Sequence, residues 1–238
     1  MLRFIYVITV NIFRIMYYAP KMSHFAKHPE KYSEQDRYAL AQKLVKIVIR
    51  MSRVTTEYEG LENLPNSGGY IMFANHQGRY DPMGVLGGHD APCTFLVDKR
   101  RADQFLVKQF VALLDAVAID LTSTRSQINA IRTLVDDVKS GRRYIVFPEG
   151  FYSKHQGNRT SEFKQGCFLG AIHAKCAIVP VTLVDSYKVF GINSLKPIKT
   201  KVIFHKPILY EQYKGMKVAD VSNLVKSVVD SELEKYEK

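Results

Sequence analysis

Cysteine is scarce: the 238 residues hold three, Cys93, Cys167 and Cys176, too few and too scattered for a disulfide framework. A reducing, cytosol-facing location is the expectation. No metal site is expected either, because His24, His28, His89, His173 and His205 fall in no ligating spacing, and His155 reads as solvent-exposed. A glycine-rich phosphate loop is missing; Gly68-Gly69 and Gly87-Gly88 read as turns. There is no Arg-rich recognition helix, RNP-type strand or zinc spacing, so the sequence points to no nucleic-acid partner. Nor is there a clean spanning segment. Residues 1–19 are apolar and aromatic but are interrupted by Arg3, Asn11 and Arg14, and a span needs ~20 mostly apolar residues.

What is present is a basic chain of globular composition. The net charge is +11, with 46% hydrophobic and 24% charged residues, which suits an anionic membrane face. No small-residue cleavage site follows residues 1–19, so they read as a helix in the membrane interface rather than a secretory signal. Arg3 and Arg14 would lie at headgroup level, with Phe4 in the apolar layer and Tyr17 and Tyr18 as interfacial aromatics. Lys21–Ser33 reads as a polar connection. Glu34–Arg53 reads as a second, basic amphipathic helix, with Leu40, Leu44, Ile47, Val48 and Met51 on one stripe. Residues 1–53 thus read as a membrane-docking helical hairpin ahead of a domain over 54–238.

That domain alternates strands and helices. Strands are predicted at Thr55–Glu59, Tyr70–Ala74, Cys93–Val97, Val117–Ile119, Tyr144–Phe147, Ile178–Val184 and Lys201–His205. Helices are predicted at 82–88, 101–113, 124–140, 164–175 and 217–236. The pattern means an α/β layered domain around a mixed, mostly parallel sheet. Pro180 predicts an edge or a bulge in its strand.

Residues 70–82 carry the most chemistry. The apolar run Tyr70–Ala74 ends in Asn75-His76, and four residues later come Asp81-Pro82, which read as a helix N-cap and its first position. A loop of that length can return the carboxylate to the imidazole. Such a pair supports general-base catalysis, the carboxylate fixing the tautomer and stabilising the imidazolium. No Ser or Cys lies between them, so the nucleophile would be a hydroxyl of the substrate.

The spacing Asn75-His76, four residues, Asp81-Pro82 resembles the His-x4-Asp block of the glycerolipid acyltransferases, in particular the 1-acylglycerol-3-phosphate acyltransferases. Tyr144–Ser153 (YIVFPEGFYS) is similar to that family's Phe-Pro-Glu-Gly block. Leu61–Pro65, Phe163-Lys164-Gln165-Gly166 and Ile178–Leu183 resemble its other blocks, in order. The resemblance, over roughly residues 55 to 210, implies His76 as general base and Asp81 as its partner. It implies an acceptor site at Asn75, Phe147, Pro148, Glu149, Gly150 and Gly166, and basic positions at Lys99 and Lys164. It implies transfer of an acyl group from acyl-CoA or acyl carrier protein, as co-substrate, to lysophosphatidic acid, with no metal or bound cofactor, at the cytoplasmic face of the cell membrane.

The chain departs from this pattern in two places. The family's Glu-Gly-Thr-Arg-Ser becomes Glu149-Gly150-Phe151-Tyr152-Ser153, and Leu121 stands where an Arg often follows the block ending in Asp120. A planar guanidinium is the natural bidentate partner of a phosphate. Two alternatives therefore stay open: the same chemistry on a lysophospholipid or an acylated amino acid, and a non-catalytic lipid-binding membrane scaffold.

Overall fold

Tyr70–Ala74 is buried along its whole length because both of its faces meet core. Ile71 and Phe73 point to one side of the sheet, and Tyr70, Met72 and Ala74 to the other. This two-sided burial is what a near-continuous apolar run in a parallel strand signifies. The computed structural model describes residues 2–152 and 157–237. Ser153 of the variant block and His155 lie outside the described residues.

The chain begins with α1 (Leu2–Val10), α2 (Ile12–Lys27) and α3 (Glu34–Met51), and enters the sheet at β1 (Val54–Glu59) and β2 (Tyr70–Ala74). Next come α4 (Asp81–Gly88), β3 (Thr94–Asp98), α5 (Lys99–Ala102), α6 (Val107–Leu113), β4 (Val117–Ile119), α7 (Thr124–Lys139) and β5 (Arg143–Val146). The remainder is α8 (Leu169–Ala174), β6 (Ala177–Val184), α9 (Tyr187–Gly191), β7 (Ile198–Phe204), α10 (Tyr210–Tyr213) and α11 (Val218–Leu233). The seven strands form one sheet in the order β1-β7-β6-β2-β5-β3-β4. Every neighbouring pair is parallel except β6 with β7. Side chains of α2, α3, α4 and α6 fill one face, and those of α7, α8 and α11 fill the other. The mixed, mostly parallel sheet is the one expected from the sequence.

Several details differ. Residues 1–19 do not form one helix: α1 and α2 meet at a 76° bend. Asn11 makes the joint, its buried side-chain amide donating to the Val7 carbonyl at 2.9 Å. Nor does the chain turn to loop at Lys21. The α2 helix runs through Pro20 to Lys27 because Met22 is buried and Tyr18 and Phe25 pack on the core, which outweighs the missing N–H. The predicted helix 101–113 breaks at Leu106, whose φ of +71° no helix accepts. The short α9 and α10 have too few residues for periodicity to show.

Pro180 sits in an interior strand, so of the two expectations the edge fails and the bulge fits. Its carbonyl accepts from His205 N at 3.0 Å, and the return bond that a paired residue would donate is the one a proline cannot make. The antiparallel pairing shifts by one residue there, from Val181 with Phe204 to Ile178 with Ile208. The stripe on α3 faces the protein, with Leu40, Ala41, Leu44 and Val45 buried in the main core.

Arg3, expected at headgroup level, is turned inward and wholly buried. It donates to the carbonyls of Ser52 at 2.5 Å and Lys196 at 2.6 Å, fastening α1 to the end of α3 and the approach to β7. The Ser52 carbonyl ends α3 without a helix partner and the Lys196 carbonyl lies in the loop before β7; one guanidinium satisfies both. Arg3→Ala should unmake both bonds, lowering unfolding stability by about 1–3 kcal/mol and speeding amide exchange in α1 before the rest of the chain.

His89 gives the fold a pH dependence. It is fully buried after α4; Nδ1–H donates to the Ala91 carbonyl at 2.6 Å and Nε2 accepts from the Tyr70 hydroxyl at 2.7 Å. Burial pushes its pKa from 6.5 down to about 4. Below pH 6.5 the unfolded chain takes up a proton that the folded one refuses until about pH 4. Stability should therefore fall by about 3 kcal/mol across that window. Urea unfolding at pH 7 and at pH 4.5 tests this, and His89→Gln should flatten the slope while being less stable at pH 7.

Candidate active site

Both signature loops leave the carboxyl ends of adjacent parallel strands, β2 and β5, where open α/β sheets gather their sites. The loop after β2 folds back, and His76 Nδ1 lies 2.8 Å from Asp81 Oδ2. The same oxygen accepts the backbone N–H of Gln77 at 2.5 Å and of Gly78 at 2.7 Å, while Oδ1 accepts the Ser186 hydroxyl at 2.6 Å. Asp81 is fully buried. Its carboxylate thus ties the loop ahead of α4 rather than capping the helix itself, the correction to the N-cap reading. With Nδ1 committed as donor, Nε2 holds the lone pair, and it has no hydrogen-bond partner among the described residues.

The imidazole is also held by its neighbours. It stacks on Phe147 with ring centroids 4.4 Å apart and 27° between planes. Tyr152 meets it edge-on at 4.8 Å. The His76 side chain keeps 14% exposure, so one edge stays open. Asn75 turns away from this edge: its side chain donates to the Leu183 carbonyl at 3.0 Å and accepts Leu183 N–H at 2.7 Å, extending the β2–β6 ladder with an amide in place of backbone.

Glu149 links the two signatures. It is fully buried; Oε1 accepts the His76 backbone N–H at 2.7 Å, and Oε2 accepts both the N–H and the hydroxyl of Ser161 at 2.8 and 2.5 Å. Gly150 takes φ +72°, and a Cβ there would meet Lys164 Nζ at 2.8 Å. The buried Pro148 accepts Lys164 N–H at 2.9 Å. The structure therefore brings His76, Asp81, Phe147, Pro148, Glu149, Gly150 and Lys164 together. It does not bring Gly166, which is exposed at a turn with open space about it, or Lys99, whose exposed side chain lies by Asp120. There the Thr122 hydrogen bonds, helped by the Lys99 charge, hold the Asp120 carboxyl below its ordinary range.

Sequence reasoning missed Ser186, Gln77, Asn158 and Ser161. Ser186 donates its hydroxyl to Asp81 and its backbone N–H to the Gln77 side chain at 3.0 Å, and Gln77 in turn donates to Asn158 at 3.1 Å. The available signal was position: Ser186 stands just past the carboxyl end of β6. The cysteines offer no nucleophile. Burial pushes Cys167 up to about 11 and Cys93 and Cys176 up to about 12, so none is a thiolate near neutrality.

The sequence model of the Acyltransferase family matches residues 55–184, and the chain belongs to that family. It is thus an acyltransferase. A Mycoplasma pneumoniae protein named "Probable 1-acyl-sn-glycerol-3-phosphate acyltransferase" is 25% identical over 92% of this chain and 87% of its own length. A chloroplastic 1-acyl-sn-glycerol-3-phosphate acyltransferase of Arabidopsis thaliana is 30% identical over 63% of this chain and 42% of that one. The fold is that of the crystal structure of the LPA acyltransferase PlsC from Thermotoga maritima, with a TM-score of 0.81, 21% identity, and coverage of 99% of this chain and 95% of that one.

Because Asn75 stands in for backbone, Asn75→Leu should strand a buried N–H and a buried carbonyl of Leu183. A loss of about 2–5 kcal/mol in unfolding stability is expected, read by chemical denaturation.

Proposed function

We propose that the protein transfers a fatty acyl group from an acyl thioester to the free hydroxyl of 1-acylglycerol-3-phosphate, giving phosphatidic acid. The observation that carries this is the His76–Asp81 pair: Nδ1 locked to a buried carboxylate, Nε2 unpartnered at an open edge. Nε2 removes the hydroxyl proton as the acceptor oxygen forms its bond to the thioester carbonyl carbon. Asp81 offsets the imidazolium charge. The tetrahedral adduct collapses with cleavage of the C–S bond, and the imidazolium returns the proton to the departing thiolate. An ester and a free thiol result, and the base is regenerated. The donor is acyl-CoA or acyl carrier protein, acting as co-substrate, and the basic surface suits either acidic partner. The names of the relatives support lysophosphatidic acid as acceptor.

The reaction takes place at a membrane surface in this reading. Among the described residues no single helix is long and apolar enough to cross a bilayer; α1 and α2 pass together but are bent. They expose Phe4, Ile5, Ile12, Phe13, Met16 and Tyr17, with Phe13 at 82% exposure. Arg14 is exposed beside them, while Tyr18 is half-buried against the core. A bent pair with one apolar side suits insertion into one leaflet, at the cytoplasmic face. A second reading, a lysophospholipid or acylated amino acid as acceptor, rests on the variant block, where the exposed Phe151 adds apolar surface.

Thiol release in liposomes tests the reaction, with lysophosphatidic acid and neutral lysolipids offered as competing acceptors. His76→Ala should abolish release, and Asp81→Asn should lower kcat by roughly 10²–10⁴-fold, since an amide cannot hold the same tautomer. Release that survives His76→Ala would sink the general-base reading. A folded wild-type protein silent with every donor and acceptor would favour a lipid-binding scaffold.

A further inference from the structure

Tyr152 occupies the position where the resembling family carries an arginine, and it does not point away from the chemistry. Its ring lies edge-on to the His76 imidazole at 4.8 Å. The same side chain holds Arg101. The guanidinium carbon lies 4.7 Å from the ring centroid, and Nη1 donates to the phenol oxygen at 2.9 Å. One side chain, Tyr152, thus lies between the Arg101 cation and the imidazole.

The neighbouring cations differ from it. Arg100, next in α5, is clamped on Asp98 through Nε at 3.2 Å and Nη2 at 2.7 Å. The Lys99 charge acts on Asp120, and Lys164, exposed, lies across Gly150 with Nζ 6.0 Å from the Phe151 ring centroid. Arg101 is half-buried and pairs with no carboxylate among the described residues. A guanidinium has five N–H donors, and the phenol takes one of them. Because the phenol oxygen accepts from Arg101, its own hydrogen is left to donate. The pair therefore keeps a charged donor group and a hydroxyl donor side by side.

We propose that Arg101, steadied by Tyr152, binds the phosphate of the glycerolipid acceptor beside His76, in place of the arginine missing from the Phe-Pro-Glu-Gly block. The inference rests on the acceptor reading above and adds the residues that recognise its anionic end. The aromatic face restricts the guanidinium before substrate arrives, so less freedom is lost on binding than for a solvated side chain. A phosphate is recognised by fork geometry as well as by charge, which a lysine does not reproduce.

The test compares thiol release with lysophosphatidic acid and with 1-monoacylglycerol, which lacks the phosphate, in detergent micelles. Arg101→Ala should raise KM for lysophosphatidic acid roughly 10- to 100-fold with a much smaller change in kcat, and should leave KM for monoacylglycerol in place. Arg101→Lys should recover part of the loss, and Tyr152→Phe should show a smaller rise. The double change Arg101→Ala, Tyr152→Arg should restore most of the affinity by putting the guanidinium back on the block. An unaltered KM in Arg101→Ala, while wild type acylates lysophosphatidic acid, overturns this inference and leaves the acyl transfer standing. Equal losses with both acceptors would mark a structural role and overturn it as well. Wild type that acylates only acceptors without phosphate would remove the acceptor reading, and this inference with it.

Discussion

The Asp81 carboxylate is the point on which the site hangs. Four donors converge on it from two places in the chain: the imidazole of His76 with the N–H groups of Gln77 and Gly78, and the hydroxyl of Ser186 beyond β6. Burying a carboxylate without such partners is prohibitive, so the loop after β2 has little choice but to wrap around it. The wrap fixes the ring nitrogen that faces inward, and so decides which one is presented to a substrate. Glu149 does a related job from the neighbouring strand, gripping the backbone of His76 rather than its ring. One carboxyl sets the tautomer, and the other sets where the residue sits.

Much of this was legible in the residues. The apolar run Tyr70–Ala74 and the punctuation after it locate a buried parallel strand and its active end, and the interval to Asp81 is short enough to close. The sheet follows from alternating apolar and amphipathic segments. What was not legible depends on distance in sequence. Ser186 lies 105 residues from Asp81 and Ser161 lies 12 from Glu149, and a lone serine past a strand carries no periodic mark. Arg3 misled for a different reason. An arginine among apolar residues near a terminus looks like a headgroup ligand, and only the fold reveals the helix-end carbonyl of Ser52 and the loop carbonyl of Lys196 that it serves. Pro180 marked an irregularity correctly, but whether that was an edge or a bulge depends on a neighbouring strand far away in sequence.

The anchored α1 changes how the N-terminal helices relate to the rest. Phe4 packs on Phe190 with centroids 5.8 Å apart and lies under the guanidinium of Arg79, a residue of the loop between His76 and Asp81. The outward apolar side of α1 is thus packed directly against the loop that carries His76 and Asp81.

The side chain of Asn75 offers a last consequence. By pairing with both backbone groups of Leu183, it acts as one more rung of the sheet. Of the signature letters around it, the Asn is carpentry, the Asp both closes the loop and orients the ring, and the His alone presents a free lone pair. A pattern search on these letters therefore detects a joint in the sheet as much as a reaction. A descendant that exchanged only the imidazole would keep nearly all of its signature without the lone pair that the proposed chemistry uses.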